Sequence, residues 1–502
     1  MTQSSSEPVH DAIVVGAGFG GMGAAIELRR LGYDDLVILE REDDLGGTWH
    51  VNRYPGLAVD IPSSTYSYSF EPNPYWTRLF APGSELKKYA EHVADRYDLR
   101  RLMRFHTTVD GAAWDDAAQV WRVSLAGGGT LTGRFLLTAT GFLSQPKLPD
   151  IAGIDSFAGT VVHTTRWDDG VDLADKRVGI IGTGATAVQL IPELAKVAAE
   201  LTVFQRTAIW VSAKPDLPVP KIVRTAFAKV PLTQRAVRWG GTAILEAMMV
   251  SAVLHYDQVP VVNAVAERAC RAHLRRQVKD ADLRRRLTPD YTFGCKRPTF
   301  SNTYYPTFNQ PHVHLETDSI DHVDATGIVT RDANGTERRT DLDVLVLATG
   351  FDLWEANFPA IRVLGRDGLD LGQWWRERRF QAYEGVAVPG FPNFVSLNSP
   401  YSYSGLSYFT TIESQMRHMN RLFTELKRRG AATFEVSERA NAEFLDAMTE
   451  KVEHSIFTLG SCGNANSYYF NQHGEATLLR PTSTLNAYRA ASSFPLDDYA
   501  FA

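Results

Sequence analysis

Short apolar runs ending in glycine alternate with longer stretches at helical spacing, and this alternation predicts strand–turn–helix–strand units. Residues 12–15 are continuously apolar, as a strand buried on both faces must be. They lead directly into Gly16-Ala-Gly18-Phe-Gly-Gly21, and residues 22–31 then carry Ala, Ile and Leu at helical intervals. A second apolar strand, Leu36–Leu39, ends in Glu40, nineteen residues beyond Gly21. The order recurs later: a strand over 178–181, the turn Gly182-Thr-Gly184-Ala-Thr-Ala187, helix-compatible residues to 199, and a strand over 201–204. Residues 135–141 and 344–350 are two further apolar runs, and both end in Ala-Thr-Gly. They predict the strands that close the two units, each with a glycine, Gly350 in the second, where the chain passes close to a cofactor.

The spacing carries chemistry. Gly16 permits a tight turn, Gly18 lets backbone amides approach a pyrophosphate, and Gly21 lets the helix pack on the strand. The pyrophosphate then lies on the positive N-terminus of the helix. Glu40 is placed to accept hydrogen bonds from an adenosine ribose. In the second unit Gln205 and Arg206 stand where that carboxylate would be. A carboxylate repels a 2′-phosphate, whereas a guanidinium grips it with paired hydrogen bonds. The first unit therefore suits FAD or an NAD-like ribose and the second suits NADPH, so hydride is expected to pass from NADPH to a bound flavin. The fold class this predicts is α/β, with two doubly wound, Rossmann-like dinucleotide-binding domains and a helical insertion.

Composition narrows the rest. At 502 residues the chain is long enough for two or three domains, with 44% hydrophobic and 22% charged residues in a globular balance. A net charge of -6 supplies no reason to expect nucleic acid or an anionic membrane as partner. The first ten residues show no secretory pattern. Residues 243–254, the most membrane-like stretch, are too few to span a bilayer and contain Glu246, so a buried or lid helix is expected there. Cys270, Cys295 and Cys462 are odd in number, distant from one another, and form no C-x-x-C pair, which argues against a zinc ribbon or a disulfide-reductase site. The histidines form no metal-binding cluster. These features predict a metal-free protein of the reducing cytoplasm.

Between the two glycine units lies Phe157-Ala-Gly159-Thr-Val-Val-His163-Thr-Thr-Arg-Trp167-Asp168. It resembles the F-x-G-x-x-x-H-x-x-x-W-[PD] fingerprint of type I Baeyer–Villiger monooxygenases, within the class B flavoprotein monooxygenases. Heteroatom-oxygenating relatives usually have Tyr or Phe at the tryptophan position, so Trp167 favours the Baeyer–Villiger branch. Gly46-Gly47-Thr48-Trp49 and the 52–60 segment ending in Asp60 resemble the family's flavin-side loop, and residues 288–298 resemble its segment bearing a catalytic arginine. The resemblance implies FAD and NADPH as cofactors, with O2 and a small molecule, a ketone, as substrates. Oxygen insertion beside the carbonyl, through a flavin C4a-peroxide, would yield an ester or lactone. N- or S-oxygenation is the alternative, and an electron-transfer reductase or a dinucleotide sensor are more distant ones.

Carried across position by position, Arg297 is the implied catalytic cation, since arginine stays protonated at any working pH. Asp60 resembles the carboxylate that holds it, and Lys296 the lysine that joins Arg206 at the 2′-phosphate. Gly47, Thr48 and Trp49 are implied cofactor neighbours. His163 is expected to couple NADP binding to domain position, with Phe157, Gly159, Trp167 and Asp168 around it. Cys295 is expected simply to pack. Tyr468 falls where well-known members carry a mobile-loop tryptophan, and Tyr401, Tyr403 and Tyr408 suit either cavity lining or core. The implied division is an FAD domain from 1–145 and 384–502, an NADP domain from 146–215 and 291–383, and a helical insertion over 216–290. No obligate protein partner is evident, and no membrane contact is expected.

Overall fold

Two sheets organise the chain, and each grows from one of the glycine units. The computed structural model describes residues 8–403 and 405–502. In the first unit β1 (Val9–Val15) runs into α1 (Phe19–Arg30), and β2 (Leu36–Leu39) returns parallel to β1. β3 (Met103–Arg104) extends this edge beside β2. On the other side of β1 lies β6 (Thr130–Thr138), parallel to it, reached through the antiparallel strands β4 (Val109–Asp115) and β5 (Val120–Leu125).

The second sheet is wholly parallel. Its central strand β8 (Arg177–Ile181) is followed by α2 (Ala185–Leu194) and β9 (Glu200–Phe204). β7 (Thr160–His163), β10 (Val313–Glu316) and β11 (Val344–Leu347) complete it, in the order β10–β9–β8–β11–β7. Parallel strands must be covered on both faces; β11 is buried throughout and β8 over its three middle residues. The chain then returns to the first sheet: β12 (Arg362–Leu364) pairs with β4, and β13 (Phe394–Ser396) pairs with β6. A long helix, α7 (Tyr408–Arg429), closes this domain against α1. Gly23 makes that approach possible, because a Cβ there would lie 2.7 Å from Cγ2 of Ile412.

The insertion departs from the sequence reading in one place. The stretch expected as a buried or lid helix over 243–254 is the end of a longer one: α4 (Pro231–Met249), preceded by α3 (Lys221–Lys229), continues through a π-turn at Val250–Leu254. Only 17% of its most apolar stretch is buried. Towards the end of the insertion, α5 (Val261–Gln277) and α6 (Ala281–Arg286) are separate helices, parted where Asp280 caps α6 by accepting from the Leu283 amide.

Candidate active site

The C-terminal ends of the parallel strands carry the site, as open α/β sheets require. Gly16 follows β1 with φ +109°, and a Cβ there would lie 2.5 Å from the carbonyl oxygen of Ala139, in the Ala-Thr-Gly turn after β6. Gly182 follows β8 with φ +116° and meets the Ala348 carbonyl after β11 in the same way. The two units thus repeat one construction, a glycine turn pressed against the neighbouring strand's Ala-Thr-Gly. Gly21 packs against the Gly16 carbonyl, leaving no room for a Cβ, while Ala187 is fully buried beneath the second turn.

Gly18 and Gly184 are the N-caps of α1 and α2, and neither helix start receives a side-chain hydrogen bond. Their first-turn amides face a cleft of about 2090 Å³. That exceeds the roughly 300–1,000 Å³ of an ordinary small-molecule site. That leaves room for more than one bound molecule. Gly47 crosses close above Gly18, and Thr48 and Trp49 line the cleft with it. Trp49 is half-buried, its indole N–H donating to the Tyr66 hydroxyl at 3.2 Å. Glu40 lines the cleft as a buried residue and is already engaged: its carboxylate accepts from the Ala17 amide at 2.8 Å and the Glu42 amide at 3.1 Å. The carboxylate is therefore held in place by backbone before any ribose arrives.

At the second unit Arg206 is exposed on the cleft wall, and Lys296 is close enough for its charge to be felt. Burial, aided by that guanidinium, lowers the Lys296 amine to about 8. Two neighbouring cations, with no carboxylate paired to Lys296 among the described residues, make a natural anion cradle. Donor amides, cleft volume and cation pair all fit FAD in the first unit and NADPH in the second.

Where the halves of the cleft meet, Arg297 donates twice to Asp60, from Nε at 2.7 Å and from Nη2 at 2.9 Å. Its remaining nitrogen, Nη1, donates to the Tyr403 hydroxyl at 2.7 Å. Burial would raise the Asp60 pKa, but Arg297 and, more weakly, Lys214 outweigh it and hold the carboxyl below the ordinary range. Burial opposes the charge on Arg297, yet Asp60 more than offsets it, so the guanidinium stays protonated. Such a fork-to-fork pair fixes the guanidinium plane as well as its charge.

Not every fingerprint residue reaches the cleft. Trp167 lines it; Phe157 is buried beneath the second sheet, and a Cβ on Gly159 would strike the carbonyl of Asp343. His163 ends β7 with Nδ1 2.8 Å from Oγ1 of Thr165, and Nε2 is 3.4 Å from Oγ1 of Thr349, beside Gly350. Thr349 in turn donates to the Lys147 carbonyl at 2.5 Å, in the segment that leads from the first sheet to the second. Burial keeps His163 below its ordinary pKa. Asp168 accepts from the Gly170 amide at 2.8 Å in a local turn.

The tyrosine run divides. Tyr403 and Tyr408 line the cleft, whereas Tyr401 belongs to the core of the first domain. Tyr468 also faces the cleft, and its backbone carbonyl accepts from the Trp354 indole at 2.9 Å. Cys295, expected only to pack, is joined to Cys462 by a disulfide with a Cα–Cα distance of 5.2 Å. The odd cysteine count hid this pair, and the argument from cysteines for a reducing compartment falls with it. No spacing rule could have found a bond spanning 167 residues.

Comparison with known proteins agrees with this construction. A sequence profile for "pyridine nucleotide-disulphide oxidoreductase" matches residues 13–237. A "Baeyer-Villiger monooxygenase" of Pseudomonas aeruginosa is 38% identical over 452 residues, covering 89% of this chain and 84% of that protein. A second, from Streptomyces coelicolor, is 37% identical over 98% of this chain and 93% of its own length. The chain belongs to the Baeyer–Villiger monooxygenases. Among solved structures, this monooxygenase is similar to an oxidized steroid monooxygenase bound to NADP, with TM-score 0.86 and 31% identity over 98% of this chain and 99% of that one. Cyclohexanone monooxygenase from Rhodococcus sp. Phi1, bound to NADP+, superposes equally well, with TM-score 0.86 at 28% identity over 99% of each chain. As a member of the family, the monooxygenase is an FAD-dependent enzyme that uses NADPH and O2 to insert one oxygen atom beside a ketone carbonyl, giving an ester or lactone.

Proposed function

We propose that Arg297 is the catalytic cation of this oxygen insertion, that Asp60 and Tyr403 are its positioning residues, and that Arg206 and Lys296 select NADPH. The observation that carries the proposal is the Arg297 guanidinium held by three hydrogen bonds on the wall where the two half-clefts meet. When bound, flavin and NADPH supply the reductive activation of O2. Arg297 would stabilise the negative oxygen that develops as the ketone carbonyl is attacked, a preorganised charge worth about 3–4 kcal/mol in comparable oxyanion sites. Asp60 would keep that guanidinium aimed, and Tyr403 would fix its third nitrogen. Glu40 would accept from the flavin's ribose, and the amides of the two glycine turns would hold the pyrophosphates.

The five segments divide these tasks in the same reading: 1–145 with 384–502 for FAD, 146–215 with 291–383 for NADPH, and 216–290 as the insertion. Strand β12 would then reach the flavin-side sheet from within the fourth segment. The preferred substrate would be a largely apolar ketone, since Phe142, Leu406, Tyr408 and Tyr468 line the same cleft as Arg297. A cytoplasmic site of action is proposed with it, because each turnover draws on NADPH.

The test is product analysis by mass spectrometry on the yellow holoenzyme with NADPH, air and a panel of ketones that includes a thioether. An ester one oxygen heavier than its ketone, lost in Arg297→Ala while NADPH is still oxidised, is the expected result. Ester yield undiminished in that variant would remove Arg297 from the proposal, and sulfoxide as the sole product would remove the ketone.

A further inference from the structure

The outer side of the insertion carries an apolar face that none of the described residues covers. Along α4, Leu232 is 70% exposed, Trp239 71%, Ile244 64% and Met248 58%. The positions between them on that side, Ala236, Gly240, Ala243 and Ala247, are small, so the large side chains stand clear. In α3, Ile222 is 78% exposed, and α3 leads directly into α4. Isolated exposed apolar residues are ordinary; a run of them over consecutive turns is an interaction surface.

The charges on the same segment are of one sign. Between Leu217 and Leu245 there is no Asp or Glu, while Lys221, Arg224, Lys229, Arg235 and Arg238 all fall there, in a chain whose net charge is -6. The first acid, Glu246, is turned inward, where it accepts from the Thr484 amide at 2.5 Å. Lys221, Lys229 and Arg235 are exposed beside the apolar face. Overall charge conceals this local excess, which is why it offered no hint of a membrane.

The inner side of α4 belongs to the body of the protein. Gln234 donates to the Asn73 carbonyl at 2.6 Å and Arg238 to the Ser67 carbonyl at 2.8 Å. Met249 lies against Gly405. Pulling α4 out to span a bilayer would strip these partners and bury Gln234, Arg238 and Glu246 in hydrocarbon, at several kcal/mol. Lying flat keeps them paired and immerses only the outer side, with basic residues at headgroup level and a tryptophan at the interface.

We propose that this monooxygenase docks peripherally on an anionic phospholipid surface through the outer face of α3 and α4. The contact is separate from the cleft, so it stands or falls independently of the roles assigned to Arg297 and its neighbours. A second copy of the chain is the competing occupant, but it would bring the same positive charge against itself.

Flotation of the FAD-loaded, full-length protein tests this, with phosphatidylcholine vesicles and with vesicles about one-third phosphatidylglycerol. The protein is expected to float with the anionic vesicles and less with neutral ones, the difference shrinking as salt rises. Trp239→Glu with Ile244→Glu should cut partitioning by about tenfold or more, with flavin content and NADPH oxidation kept as the folding control. Lys221→Glu with Lys229→Glu should abolish only the preference for anionic lipid. The proposal is overturned if the wild type does not float, or if the doubly substituted protein floats equally well. It is also overturned if the wild type sediments as a dimer that Trp239→Glu dissociates.

Discussion

Cys295 and Cys462 are joined across 167 residues, so the segment carrying Lys296 and Arg297 is covalently tied to the loop that carries Tyr468. Both sulfurs are buried, and Cys462 itself lines the cleft. The bond therefore holds together two walls of the site that no secondary-structure element joins. Closing a loop of this length restricts the unfolded chain strongly, by about 2–5 kcal/mol. Dithiothreitol should lower the melting temperature of the wild type, and Cys462→Ser should melt at that lower temperature with or without reductant. A wild-type melt indifferent to reductant would mean that the thiols are unpaired in solution.

Asp60 should matter in proportion to how firmly it holds Arg297. Asp60→Ala leaves a largely enclosed guanidinium without its carboxylate, and a loss of about 1–3 kcal/mol is expected after allowance for partial solvent access. Because the folded-state pKa of Asp60 is lowered, its contribution is present above the unfolded carboxyl value and disappears as pH falls through the lower folded value. Urea unfolding of both proteins from neutral to acid pH checks this: the gap between them should close only at the acid end.

Tyr403→Phe removes the hydrogen bond from the charged Arg297 donor and a longer one, at 3.4 Å, to the Leu406 carbonyl. A fall in kcat of about tenfold is expected, with KM for NADPH nearly unchanged, since the hydroxyl meets Arg297 rather than the Arg206 side of the cleft. Steady-state kinetics separates the two parameters. A change confined to the NADPH KM would contradict the positioning role.

Lys296 predicts a pH dependence of coenzyme binding. Its amine loses the proton through about pH 8 in the unliganded protein, instead of near 10.5. A 2′-phosphate favours the protonated form, so binding above pH 8 takes up a proton and the Kd for NADPH should rise by up to about tenfold per pH unit there. Lys296→Met should bind more weakly at neutral pH and lose the dependence. Fluorescence titration from pH 7 to about 9.5 reads both effects.

The two glycine turns should separate the cofactors. Gly16→Ala places a Cβ against the Ala139 carbonyl at a positive-φ position and should yield colourless protein. Gly182→Ala makes the same collision at Ala348 and should leave the protein yellow but poorly reduced by NADPH. Visible absorbance and anaerobic reduction distinguish them, and the reverse pattern would exchange the assignment of the two units.

What the sequence determined by itself is what short-range physics determines. Buried parallel strands demand continuous apolar runs, and glycine alone tolerates the turns at 16 and 182, so β2 was legible residue for residue and β1, β8 and β9 to within a few. Arg297, Asp60 and Lys296 came from a resemblance, because nothing within a few residues of any of them reveals a partner 237 positions away. The tertiary structure alone decided that Tyr403 meets Arg297 while Tyr401 packs in the core, that Cys295 finds Cys462, and that α4 turns its apolar side to solvent. Each of these depends on where the ends of different elements meet, or on which face of a helix the rest of the chain covers. Local pattern carries neither quantity: an apolar helix reads the same whether its outer face meets protein, lipid or water.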